Sequence, residues 1–95
     1  MTPHKNVTVK EAETVALGAL SYLAADDERL SRFLDSTGLR ADTIRAAASS
    51  AGFLAAVLDY VAHDEPLLLA LAGFLETKPE SIMAARWTLS PSEFE

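Results

Sequence analysis

Cysteine is absent from this 95-residue sequence, which excludes disulfide bonds, thiolate metal sites and a thiol nucleophile. Glycine is scarce, and its four copies stand far apart, so the chain cannot build a glycine-rich loop that cradles phosphate. Long apolar runs are missing as well. The most apolar one, residues 66–75, is about half the ~20 residues that a membrane-spanning helix requires. We therefore expect no membrane interaction.

Positive charge is also in short supply. Fourteen acidic side chains oppose eight basic ones, which gives a net charge of −6, and this balance repels the phosphate backbone of nucleic acids. Four arginines gather within residues 29–45, but Asp35 and Asp42 lie among them. We expect no nucleic-acid partner. Residues 1–10 contain neither the apolar core nor the cleavage site of an export signal, which predicts a cytoplasmic protein.

What the sequence has in abundance is alanine and leucine, the best apolar helix formers, recurring at three- and four-residue spacing. Thr8 and Glu11 fit a capping box at the start of a first helix. The acidic residues 26–28 suit the positive end of a second helix, and Gly38 is placed to end it. The first forty residues therefore predict two helices.

Four more helices are expected after these two. The third covers residues 42–48 with Ile44 as its anchor, and the fourth starts after residues 49–50. The fifth opens at Pro66, which is tolerated in a first turn because its missing amide has no intrahelical partner. The sixth begins within residues 77–80 and ends near residue 87 or 89. The fold class that follows is all-α, a compact bundle of about six short helices.

The two halves of the chain resemble each other. With residues 12–49 laid over residues 50–87, an offset of 38 positions, eight pairs are identical, and the expected helix starts coincide. We predict two tandem three-helix units that share one core, because a unit of this size cannot bury its own apolar face. The expected organisation is a mobile lead-in over residues 1–7, a single domain over 8–89 and a mobile tail over 90–95.

Four short stretches also carry a resemblance to a known family. They are residues 22–26 (YLAAD), 32–34 (RFL), 37–39 (TGL) and 53–59 (FLAAVLD). Over residues 11–86 the chain resembles the small all-helical bacterial family catalogued as domain of unknown function 3572. The resemblance implies a helical fold and a bacterial origin, and it brings no activity, ligand or catalytic residue with it.

No group of side chains has the spacing of a catalytic or metal site. The histidines are His4, in the lead-in, and His63, beside Asp64 at a helix junction. Neighbouring residues on a helix point apart, so His63 and Asp64 are not expected to form a base–carboxylate pair. We interpret Asp26 and Asp64 as helix caps. The sequence therefore predicts no catalytic residue, no cofactor and no metal, and a protein that is not an enzyme.

The two halves differ most between the second and fifth helices. The second has Ser31 and Arg32 where the fifth has Leu69 and Ala70, so the fifth is apolar nearly all round. Such a helix is either central to the fold or half of an interface. We favour the central position and expect Leu69 to be mostly buried. An exposed Leu69 would instead indicate self-association or a partner.

The functional hypothesis is a non-catalytic protein-interaction or structural module. Trp87 is expected to close the open edge of the core or, alternatively, to anchor a partner, and Tyr22 and Tyr60 are expected to pack across the two units. The alternative function is a small-molecule-binding or accessory domain, with an apolar pocket between the units lined by Trp87 or the tyrosines. The possible interaction surface, for a protein partner or a second copy, consists of Leu69, Ala70, Gly73 and Trp87.

Overall fold

A computed structural model describes residues 8–40, 42–43 and 50–89. The all-α prediction is confirmed: these residues contain no strand, and no helix among them is long and apolar enough to cross a membrane. The expected helix over 42–48 lies outside the described residues except for Asp42 and Thr43, which are helical; the expected lead-in and tail lie outside them as well. Five helices are described: α1 (Val9–Ala24), α2 (Asp27–Thr37), α3 (Ala51–Ala62), α4 (Glu65–Leu75) and α5 (Pro79–Leu89).

The helix ends follow the predicted caps. Thr8 and Glu11 exchange the two hydrogen bonds of a capping box, each 3.0 Å long. The carboxylate of Asp26 accepts from the amide two residues on, at 2.9 Å, and that of Asp64 accepts from the amide three residues on, at 3.2 Å. Gly38 ends α2 with a φ of 75°, a conformation that glycine adopts without strain. Local side-chain chemistry therefore sets where these helices start and stop.

We expect Asp64→Ala to lower the free energy of unfolding by about 1 kcal/mol, because it removes the hydrogen-bond acceptor for a first-turn amide of α4. Asp64→Asn keeps a side-chain oxygen and should retain most of that stability. Asp35→Ala, an exposed change inside α2, is the control and should stay within about 0.5 kcal/mol. Urea unfolding measures all three. Equal losses for Asp64→Ala and Asp35→Ala would contradict the capping role.

Three helices form the centre of the domain: α1, α3 and α5, with the most extensive contact between α1 and α5. The buried side of α1 is made mainly of small side chains, since Ala12, Ala16 and Ala19 are fully buried, together with Leu23 near its end. Small residues at a helix contact let the axes approach closely. Most of the larger buried side chains come from the other helices. Those of the two central partners include Leu54, Val57, Leu58 and Val61 of α3, and Ile82 and Leu89 of α5.

The outer helix α2 packs on α1 and is anchored by an aromatic cluster. Phe33 is completely buried. Its ring meets Tyr60 edge to face with the centroids 5.1 Å apart, and Phe53 in the same manner at 6.3 Å. Edge-to-face contacts of this kind stabilise by more than their buried area alone. Phe33 therefore links the first half of the chain to the second.

The outer position of α4 overturns one prediction. This helix buries Leu71 and Ala72, but Leu69 is 52% exposed, so the expectation that Leu69 is mostly buried is wrong. The central positions belong to α1, α3 and α5, and an outer helix buries only one stripe of its surface. Leu69 lies about 160° around the helix axis from Leu71. It is therefore directed away from the core.

Trp87 differs from expectation for the same geometric reason. It is 66% exposed, so the prediction that it closes the edge of the core is wrong. The buried residues of α5 are Ile82, Ala85 and Leu89, whose spacing of three and four puts them on one stripe. Trp87 is two residues from both Ala85 and Leu89, so it lies about 160° around the helix axis from each and is directed away from the core.

Candidate interaction surfaces

One side of α4 carries a continuous row of exposed residues without charge. We call this the α4 face; its members are Pro66, Leu69, Ala70, Gly73 and Phe74. Their spacing of three and four residues places them side by side along about two turns. An outward helix surface normally carries polar and charged side chains. A contiguous exposed apolar row is the kind of feature that marks an interaction site.

At the edge of the α4 face, the Phe74 ring packs on Tyr22, and Arg29 packs on Tyr22 in turn. We call these three residues the Tyr22 stack. The rings of Phe74 and Tyr22 lie with centroids 4.9 Å apart, and the Arg29 guanidinium lies 4.1 Å from the Tyr22 centroid. Arg29 also donates from Nε to the Tyr22 carbonyl at 3.3 Å and pairs with Asp26 at 3.4 Å. The ring of Phe74 is 55% exposed, but its contact with Tyr22 restrains its orientation.

The charges around the α4 face are mainly acidic. The helix itself carries Glu65 and no basic residue. Asp64 caps its start and Glu76 its end, and Lys78 follows two residues later. Elsewhere, the arginines within the described ranges are each paired with an acid, which neutralises them locally. The pairs are Arg29–Asp26, Arg32–Glu28, Arg40–Asp42 and Arg86–Asp59.

A second surface is an open cleft of about 600 Å³ between α2 and α3, which we call the Tyr60 cleft. Most of its lining is polar or amphipathic. A smaller cleft of about 400 Å³ adjoins it and shares Tyr60 and Asp64 with it. The Tyr60 cleft is lined by Ser36, Thr37, Ala56, Asp59, Tyr60, His63 and Asp64.

The histidine in the Tyr60 cleft is oriented by α3 rather than by its sequence neighbour. His63 Nδ1 lies 2.8 Å from the carbonyl oxygen of Asp59 and 3.8 Å from its carboxylate. Asp59 in turn receives two hydrogen bonds from Arg86, at 2.7 and 3.0 Å. Asp64 serves as a helix cap. His63 is thus positioned by Asp59, four residues earlier on the same helix.

Within the described ranges, the acidic and histidine side chains are dispersed over the surface. Among the described residues, no three histidine or carboxylate side chains gather in a way that could hold a metal ion. The acidic residues 26–28 spread around the start of α2, where Asp26 caps the helix and Glu28 pairs with Arg32.

The residues proposed from the sequence as an interaction surface fall into two groups. Leu69, Ala70 and Gly73 share the α4 face. Trp87 lies on α5, where Met83, one turn earlier, is 38% exposed. The sequence gives no local signal for the role of Phe74, because its support comes from Tyr22 on another helix. It gives none for the Tyr60 cleft either, because the lining residues come from two different helices and the junction after the second.

Comparison with known proteins places the chain beside a family of unknown function. The model of the family described as protein of unknown function (DUF3572) matches residues 9–92. No curated protein and no solved structure matches the chain.

Proposed function

We propose that this chain, which belongs to the family of proteins of unknown function DUF3572, is a non-catalytic protein-interaction module that binds its partner through the α4 face. The observation that carries the proposal is the exposure of Leu69 and Phe74, 52% and 55%, on one uncharged row. Ala70 and Gly73 lie between them, and such small side chains allow a partner helix to approach closely.

The proposed occupant is an amphipathic helix whose apolar row is bordered by basic residues. Glu65 and Glu76 border the α4 face at its two ends, and lysine or arginine opposite them would be attracted, while acidic residues would be repelled. The net charge of −6 adds long-range attraction for a basic partner. In helix-on-helix recognition of this type, the bound helix contacts its partner through apolar side chains at three- and four-residue spacing.

A second copy of the chain fits the α4 face less well. Two antiparallel α4 helices would bring Glu65 of one copy towards Glu76 of the other, which places like charges together. Both copies would also carry the same net charge of −6. Electrostatics therefore favours a basic partner over self-association.

We also propose that the two halves are tandem units related by the 38-residue offset. Support comes from α2 and α4, whose bounds differ by that offset at both ends and whose caps, Asp26 and Asp64, are equivalent. Gly38 and Glu76, also equivalent, both end their helices in the left-handed conformation. The proposal keeps the cytoplasmic location and bacterial origin expected from the sequence.

The alternative function, binding of a small apolar molecule between the units, has less support. Tyr60 lines both clefts between α2 and the second half of the chain, as that hypothesis asks. The larger cleft, however, is open, most of its lining residues have polar side chains, and Trp87 and Tyr22 are not among them. A wholly apolar ligand would leave these polar side chains without partners, so a ligand without a polar or charged group fits the cleft poorly.

A designed peptide tests the interaction. The probe is a helix of about 18 residues, long enough to hold its structure, with leucine on one side and lysine at its borders; a second peptide has glutamate in place of lysine. We expect the basic peptide to bind and to shift the amide resonances of α4. Leu69→Ser should weaken it about 10- to 30-fold, as loss of a hot-spot residue does.

Val9→Ser is the matched control. Val9 is 55% exposed and lies about 20 Å along α1 from Tyr22, so its loss should leave binding unchanged. Equal binding of both peptides, or equal weakening by Val9→Ser, would contradict the proposal. Sedimentation of the wild type is the further check: a dimer that dissociates on Leu69→Ser would make a second copy the occupant.

A further inference from the structure

The offset of 38 positions relates the Tyr60 cleft to the surroundings of Tyr22, where a phenylalanine side chain occupies the equivalent space. Tyr60 corresponds to Tyr22, and Ser36 and Thr37 correspond to Phe74 and Leu75. At Tyr22, the Phe74 ring packs with its centroid 4.9 Å away. At Tyr60, the equivalent position carries the small polar side chain of Ser36, and both residues line the cleft.

A second pair of residues beside each tyrosine also corresponds under the 38-position offset. Gly18, on α1, lies so close to Leu75 that a Cβ atom on it would be 2.9 Å from Leu75 Cδ2. Its counterpart is Ala56, on α3, and the counterpart of Leu75 is Thr37; both line the Tyr60 cleft. The large side chains of α4 therefore close the surface beside Tyr22, and the smaller ones of α2 leave it open beside Tyr60.

We infer that the Tyr60 cleft is a binding site for an aromatic ring that carries an adjacent positive charge, either on a peptide side chain or on a small molecule. The ring would take the position beside Tyr60 that Phe74 occupies beside Tyr22. This site shares no residue with the α4 face, although Asp64 lies beside both, and the inference does not depend on the proposed function.

The charge of the cleft supports the cationic part of the ligand. Two carboxylates line it, Asp59 and Asp64, and a single arginine, Arg86, pairs with Asp59. Arg29 and Arg32, which line the adjoining smaller cleft, are paired with Asp26 and Glu28. The charge of Asp64 therefore remains beside Tyr60 without a basic partner among these arginines. Aromatic faces and carboxylates both attract cations, whereas an anionic ligand would be repelled.

The first test fills the cleft from within. Ser36→Phe introduces the residue found at the equivalent position 74, and serine and phenylalanine have similar helix propensities. We expect the melting temperature to rise by about 4–8 °C, the shift that one added aromatic pair produces in a domain of this size. Ser31→Phe, the same substitution at an exposed site on α2 that lines neither cleft, should give no rise.

The second test uses three probes on the wild type: phenethylammonium, 3-phenylpropanoate and the dipeptide N-acetyl-phenylalanyl-lysine amide. We expect the two cationic probes to shift the amide resonances of Tyr60 and His63 with a Kd on the order of 1 mM, and the anionic probe to bind at least ten times more weakly. Ser36→Phe should abolish the shifts, and Ser31→Phe should preserve them.

Each outcome decides the inference. Binding of the dipeptide alone supports it with a polypeptide as the source of the ring, and binding of phenethylammonium alone supports it with a small molecule. If no cationic probe binds, or if the anion binds equally well, the inference is wrong. It is also wrong if Ser31→Phe stabilises as much as Ser36→Phe, because the stabilisation would then not come from the cleft.

Discussion

Phe33→Ala is expected to lower the free energy of unfolding by about 3–5 kcal/mol, the loss typical of a buried aromatic residue in a core. Phe33 is completely buried and makes edge-to-face contacts with Phe53 and Tyr60. A domain of this length has a total stability of roughly 5–15 kcal/mol, so this change should consume much of it. Urea unfolding followed by circular dichroism measures the loss.

Phe33→Leu separates the loss of aromatic contacts from the loss of volume. It keeps most of the buried apolar surface, so we expect it to cost clearly less than Phe33→Ala. An α2 that is merely attached to the surface would tolerate both changes about equally and with little loss. That result would contradict the role of Phe33 as the anchor between the two halves.

The second large effect distinguishes the two sides of α4. Leu71→Ala should cost about 2–5 kcal/mol, because Leu71 is fully buried and its truncation leaves a cavity. Leu69→Ala removes the same atoms from a residue that is 52% exposed, and we expect a change within about 0.5 kcal/mol. The two variants have identical composition, so helix propensity cancels between them.

Thermal or urea unfolding of the pair gives the answer directly. Similar losses for Leu69→Ala and Leu71→Ala would mean that α4 is enclosed on both sides, either by its own chain or by a second copy. Repeating the measurement at two protein concentrations separates these cases, because stability supplied by a second copy rises with concentration.

The helices and their caps could be predicted because their signals are local. Thr8 with Glu11, Asp26, and Gly38 lie within a few residues of the amides and carbonyls that they satisfy, and the structure confirms each one. The all-α class follows equally from composition and spacing. These features depend on contacts that the sequence itself places side by side.

The position of α4 could not be predicted in the same way. The sequence of a helix that is apolar all round does not indicate which side faces the core. Leu69 and Leu71 are therefore indistinguishable by pattern. Which of them is buried depends on where α1, α3 and α5 lie. The Tyr60 cleft depends on tertiary structure even more, because Ser36 and Tyr60, which line it together, lie on two different helices.

The packing of α1 against α5 has a consequence for protein synthesis. The buried alanines of α1 emerge from the ribosome long before Pro79–Leu89, the segment that covers them. Until that segment is made, the apolar sides of α1 and α3 lack a major part of their cover, and such surfaces are prone to aggregation. The domain therefore closes only once α5 has emerged, through contacts that are distant in sequence.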